Sequence, residues 1–183
     1  MSTDFEEKER ALISGMLRNV RAQHARLTSK KLTAFASMKG ERFAGELVVV
    51  GRAVNGWGPC FTLSELLEDG ALNRIVEKIV QSSRDRGEKN ECPMLWVGND
   101  WVNRGNKGEY YASRSAFWRV TRAVADALGV ADVNEPSWPT YLAWSNLYRV
   151  APFCGGQSLS IPVPSTGSRL HRSPRSGDCG MEA

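Results

Sequence analysis

Histidine and closely spaced cysteine are the scarcest features of this chain. Its 183 residues contain two histidines, His24 and His171, and four cysteines at 60, 92, 154 and 179, none in a Cys-x-x-Cys spacing. That inventory excludes a conventional zinc site and reads as reduced thiols, with no metal and no organic cofactor implied. Long hydrophobic runs are also missing. The longest, such as Leu47–Val50 and Met94–Val97, fall far short of the roughly 18 residues a spanning helix needs, so no membrane partner is expected. The acidic opening Met1-Ser-Thr-Asp-Phe-Glu-Glu is unlike a signal peptide, and a cytoplasmic location is expected. Excess charge is small. A net +4 with an isoelectric point near 9.0 permits contact with nucleic acid without requiring it.

The chain divides near Phe153. Residues 1–153 carry apolar residues at helix or strand period and read as one α/β domain, whereas 154–183 lacks aromatics and is rich in Ser, Gly, Pro and Arg. Such a tail buries too little apolar surface to offset its ordering entropy. Two origins stay open: a native flexible tail, or an altered gene end.

Helix signals are frequent before that boundary. Thr3-x-x-Glu6 and Thr62-x-x-Glu65 have the capping-box spacing, in which the Thr hydroxyl and the Glu carboxylate each take a backbone N–H at the helix start. The first leads Ile13, Leu17, Val20 and Leu27 on one face. The second leads Leu63, Leu66, Leu67, Leu72, Ile75, Val76 and Ile79, with a break or remodelling at Gly70. Ser115 caps a third helix whose Phe117, Val120, Val124 and Leu128 share a face, closed by Gly129.

Strand signals are fewer. Leu47-Val-Val-Val50 is fully apolar and ends at Gly51, Met94-Leu-Trp-Val97 is another apolar segment, and 141–149 reads as a buried strand with Asn146 in its middle. Continuous apolar strands separated by helices predict a three-layer α/β/α sandwich with a mostly parallel central sheet. Ligands of such sheets bind outside the carboxyl ends of the strands. Two places then matter: the loop Gly51-Arg-Ala-Val-Asn-Gly-Trp-Gly-Pro59 and the exit of strand 141–149.

The loop excludes two common chemistries. Gly51-x-x-x-x-Gly56 has phosphate-loop spacing, but Trp57-Gly58 stands where Lys-Ser/Thr is needed, and the glycines do not match a dinucleotide fingerprint. A Ser-Gly-Asn-His hydrolase is suggested by Gly98-Asn99-Asp100 but lacks the nucleophile block and the Asp-x-x-His block. What remains is a glycine-flexible loop offering Asn55 and Trp57 to a ligand, or an ordinary turn with Trp57 in the core. Asn146 needs a partner wherever it is buried, since an unpaired amide costs roughly 1–3 kcal/mol. It is either tied to a neighbouring loop or held for a ligand. Trp96, Trp118, Trp138 and Trp144 read first as packing residues.

Over residues 45–152 the chain resembles the uracil-DNA glycosylase superfamily in three places: Val48-Val-Val-Gly51 running into its loop, Ser113-Arg-Ser-Ala-Phe-Trp-Arg-Val120 as a polar loop entering a helix, and Leu142-Ala-Trp-Ser-Asn-Leu-Tyr-Arg-Val150 as a strand carrying asparagine. The resemblance implies DNA or a nucleotide as partner and cleavage of the N-glycosidic bond of a flipped, damaged or deaminated base. It assigns base recognition to Asn146, water positioning to Asn55, and the base pocket to Trp57, Gly51 and Gly56. Arg114, Arg119 and Arg149 become the candidate contacts to the DNA backbone. An asparagine suits the role because its amide pairs one acceptor with one donor, matching a pyrimidine's N3–H and O4. The chain departs from the pattern at Ala53, where the family carries Asp or Asn. It departs again at His171-Arg-Ser-Pro174, which lacks the strand and helix that precede the family's late histidine loop. The alternatives are a base-binding protein without catalysis and a truncated, inactive member.

Overall fold

The computed structural model describes residues 3–24, 26, 28–52, 58–85, 92–103 and 111–153. The chain opens with helix α1 (Thr3–His24), whose Ile13 and Leu17 are fully buried. Strands β1 (Lys31–Ala34) and β2 (Met38–Lys39) follow, then β3 (Val48–Gly51) and β4 (Cys60–Thr62). Helix α2 (Leu63–Leu67) starts at the Thr62 capping box, with the Glu65 N–H 3.1 Å from the Thr62 hydroxyl and the Thr62 N–H 2.6 Å from the Glu65 carboxylate. Gly70, at φ +70°, turns the chain into α3 (Ala71–Arg84). Few residues other than glycine take that conformation at low cost, so the break falls at Gly70.

Met94–Val97 does not form a strand. It opens helix α4 (Leu95–Asn103), with Met94 and Val97 both fully buried. Helix α5 (Ala116–Ala127) begins after Ser115 and closes in a Schellman motif, in which the Gly129 N–H reaches the Asp126 carbonyl and the Val130 N–H reaches the Ala125 carbonyl. Its phase differs from the sequence expectation. Trp118, Thr121 and Ala125 are buried, while Val120 and Leu128 are each 63% exposed, because the tryptophan offers the larger apolar surface to the core.

The sheets overturn the expected architecture. Instead of a mostly parallel central sheet, the described residues form two three-stranded sheets, β4-β1-β6 and β2-β5-β3, where β5 is Ala143–Asn146 and β6 is Val150–Pro152. All described pairings are antiparallel except β3 with β5, which lie side by side and parallel. Three causes are visible. The 94–97 segment is helical, the 141–149 segment breaks after Asn146, and β3 sits at a sheet edge with Val48 and Val50 more than half exposed.

The break after Asn146 has a definite geometry. Ser37 faces Ser145, their hydroxyls 2.9 Å apart, and the Phe35 N–H reaches the Arg149 carbonyl at 2.8 Å. Ala36 alone therefore stands opposite Asn146, Leu147 and Tyr148. The excess residues on one strand form a bulge, which twists the ribbon and passes it from one sheet to the other. At this crossing the side chains alternate between two cores. Ala34 and Ala36 pack with α1–α3, and Phe35 packs with Trp118, Trp138, Leu142 and Trp144 beneath α4 and α5.

No described helix is long and apolar enough to cross a membrane. Residues 154–183 lie outside the described residues, as do Asn55, Gly56 and Trp57.

Candidate functional site

The bulge and the parallel pair meet at one point. In the β3–β5 register Gly51 stands beside Asn146, both at the carboxyl ends of their strands. Past that point the released residues turn to β3: the Leu147 N–H bonds the Gly51 carbonyl at 2.8 Å and the Tyr148 N–H bonds the Arg52 carbonyl at 3.3 Å. Asn146 is thus the last residue of its strand, not a mid-strand residue as the apolar pattern suggested.

Gly51 is required by its neighbour. A Cβ at this position would lie 2.3 Å from Asn146 Oδ1, inside van der Waals contact, so the absence of a side chain makes room for the amide. Asn146 is 4% exposed, and its Nδ2 meets no acceptor among the described residues. Among the described residues nothing accepts from this amide nitrogen to tie the side chain to a loop. An amide held in this way costs roughly 1–3 kcal/mol in the absence of a partner.

An aromatic wall adjoins the amide. Trp144, two residues earlier on the same face of β5, is 3% exposed and lies 4.7 Å from Phe35, 5.1 Å from Trp118 and 6.2 Å from Phe117, centroid to centroid. Its indole nitrogen would be 3.5 Å from a Cβ on Gly51. Within the bulge the surface changes character. Leu147 is 67% exposed and Tyr148 47%, so an apolar and an aromatic side chain stand outside the buried amide.

The opposite face of β5 is fixed by charge. Arg149 donates to Glu9 Oε1 at 3.0 Å and to the Ser145 hydroxyl through Nε and Nη2, while the other Glu9 oxygen accepts the Ser37 N–H at 2.8 Å. Both partners of this ion pair are about nine-tenths buried. Helix α1 thereby clamps both sides of the bulge, and the Arg149 charge is balanced inside the fold.

Arg114 and Arg119 are exposed, one just before α5 and one in its first turn. The Arg114 guanidinium lies 4.9 Å from the Tyr111 ring centroid, and Arg119 borders a surface groove with Trp101, Arg122 and Asp126. Between them in sequence, Phe117 and Trp118 contact Trp144. Gly51 and Asn146 are the sequence-derived candidates that the fold brings into contact. Residues missed by sequence reasoning are Leu147 and Tyr148, turned out by the bulge, and Glu9, whose distance of 140 residues from Arg149 left no local signal. No group of three or more potential metal ligands occurs among the described residues. Cys60 is exposed and Cys92 buried, both as free thiols.

Searches with protein-family models, curated proteins and solved structures return no match to this chain.

Proposed function

We propose that the carboxyl edge of the β3–β5 pair binds a single nucleobase in the manner of uracil-DNA glycosylases, with Asn146 reading the base. The observation that carries this reading is the Asn146 side chain, 96% buried, seated over Gly51 and lacking an acceptor for Nδ2 among the described residues. A structural amide would be expected to bond its neighbours. A recognition amide keeps its donor and acceptor for the ligand, and a pyrimidine offers both groups along one edge.

The surroundings suit an extruded base. Trp144, with Phe117 packed against it, supplies apolar ring surface next to the amide, and the exposed Leu147 and Tyr148 provide groups that can wedge or stack against a strand. Arg114 and Arg119 are exposed and are the proposed phosphate contacts, whereas the Arg149 guanidinium is committed to Glu9. Hydrolysis of the glycosidic bond would require an oriented water; the proposal assigns that part to Asn55, and further base contacts to Trp57 and Gly56, all three outside the described residues.

The test is an assay of oligonucleotides carrying uracil, hypoxanthine or an undamaged base, single- and double-stranded, reading both binding and strand scission after alkali. Base-dependent binding that is lost in Asn146→Ala while the fold is retained supports recognition. Scission that is lost in Asn55→Ala supports catalysis. Equal binding to every base and to an abasic strand would reject the proposal.

A further inference from the structure

A second feature of the same sheet stands apart from the base site. Among the described residues β3 pairs on one side only, with β5, and its other edge is unpaired. The Leu47 and Gly51 carbonyls accept the Ala143 and Leu147 N–H groups, so backbone alternation turns the N–H and C=O groups of Val48 and Val50 toward the free edge. Those two side chains are 54% and 56% exposed. Soluble proteins commonly protect such an edge with an inward charge, a proline or a bulge. Val48-Val-Val-Gly51 has none of these.

The flanking charges indicate what covers the edge. Glu46 precedes the strand and Arg52 follows it; both are exposed and neither takes part in an ion pair with another described residue. When two copies of this segment run antiparallel about Val49, Val48 faces the other copy's Val50 and Glu46 faces its Arg52. Every residue in this register whose backbone points outward meets another of the same kind. Val48 and Val50 form hydrogen-bonded pairs, and Val49 falls on the twofold axis in a non-hydrogen-bonded pair. Shifting the centre to Val48 or to Val50 keeps backbone pairing but loses the two opposite-charge contacts.

We propose that β3 pairs with β3 of a second copy of this chain, joining two β2-β5-β3 sheets into one six-stranded sheet across a twofold axis at Val49. The surface is self-complementary, as a twofold interface must be. The four exposed valines form one continuous apolar strip on one face of the joined sheet, and the Glu46–Arg52 contacts select the register.

Charge reversal tests this in the full chain by sedimentation velocity over a concentration series, with circular dichroism to confirm that each variant folds. Wild-type protein forms dimers as concentration rises. Glu46→Arg and Arg52→Glu each place like charges opposite one another at both ends of the contact, and the dimer dissociation constant rises on the order of tenfold. The combined Glu46→Arg, Arg52→Glu variant restores the opposite-charge pairs and returns the constant to near its wild-type value. A chain that stays monomeric throughout overturns the proposal. A dimer indifferent to both reversals, or a double variant no tighter than the single ones, does so as well.

Discussion

Replacing Gly51 with alanine tests the contact on which the site is built. Gly51 is not among the glycines at positive φ, so alanine can adopt its backbone without strain. Stiffening the unfolded chain would by itself stabilise the protein by about 0.4–1 kcal/mol. The obstacle is one atom. The new Cβ would sit 2.3 Å from Asn146 Oδ1, while Trp144 Nε1 and Asn146 Cγ, at 3.5 Å, are at ordinary contact distance. Oδ1 must then retreat by about 1 Å in a close-packed interior, at an overpacking cost of about 1–3 kcal/mol. The expected net effect is a loss of about 1–2 kcal/mol. In an Asn146→Ala background the obstructing oxygen is gone, so Gly51→Ala becomes neutral or slightly stabilising. Urea denaturation of the four proteins closes a double-mutant cycle with a coupling of about 1–2 kcal/mol. An equal cost of Gly51→Ala in both backgrounds would refute the packing argument.

Three further outcomes are expected. Glu9→Ala leaves Arg149 buried without its counter-charge and should lower stability by about 3–5 kcal/mol, whereas Glu9→Ala combined with Arg149→Met should recover much of that loss in the urea midpoint. Trp118→Ala should cost about 3–5 kcal/mol, and Val120→Thr, on the exposed side of α5, less than about 0.5 kcal/mol; comparable losses would show that the helix is rotated from the phase described here. The Glu65 carboxyl is held below the usual glutamate range chiefly by the Thr62 N–H it accepts, so its stabilising contribution is present above the unfolded-state value and disappears as pH falls through the lower folded value. Stability measured against pH should have a shallower acid limb in Glu65→Gln, and an unchanged limb would contradict the assignment.

Local chemistry was legible in the sequence where one or two residues determine the backbone. The Thr62–Glu65 box, the turn at Gly70 and the helix stop at Gly129 all appear in the structure, and the apolar strands read at 47–50 and 141–149 pair in parallel over 48–51 and 143–146. Strands β1, β4 and β6 were not legible, because three or four residues carry too little pattern and their pairing is decided by distant partners. The phase of α5 was misread because its sequence offers two apolar stripes, and periodicity does not weigh a tryptophan against valines. At the candidate site, Asn146 and Gly51 could be named from the chain, but their contact depends on register. The bulge depends on a mismatch between two ribbon segments more than 100 residues apart, and it alone turns Leu147 and Tyr148 outward.

If Asn146 reads a base, exchanging its amide for a carboxylate changes which base is bound with little change in shape. Wild-type protein and Asn146→Asp are titrated by fluorescence anisotropy with otherwise identical strands carrying uracil or cytosine, beside thermal midpoints for both proteins. The amide offers donor and acceptor to uracil, whereas the carboxylate only accepts and suits the cytosine amino group. A uracil preference in the wild type should shift toward cytosine on the order of tenfold in Asn146→Asp, with similar midpoints. A lowered midpoint with no change in the ratio of the two affinities would contradict it.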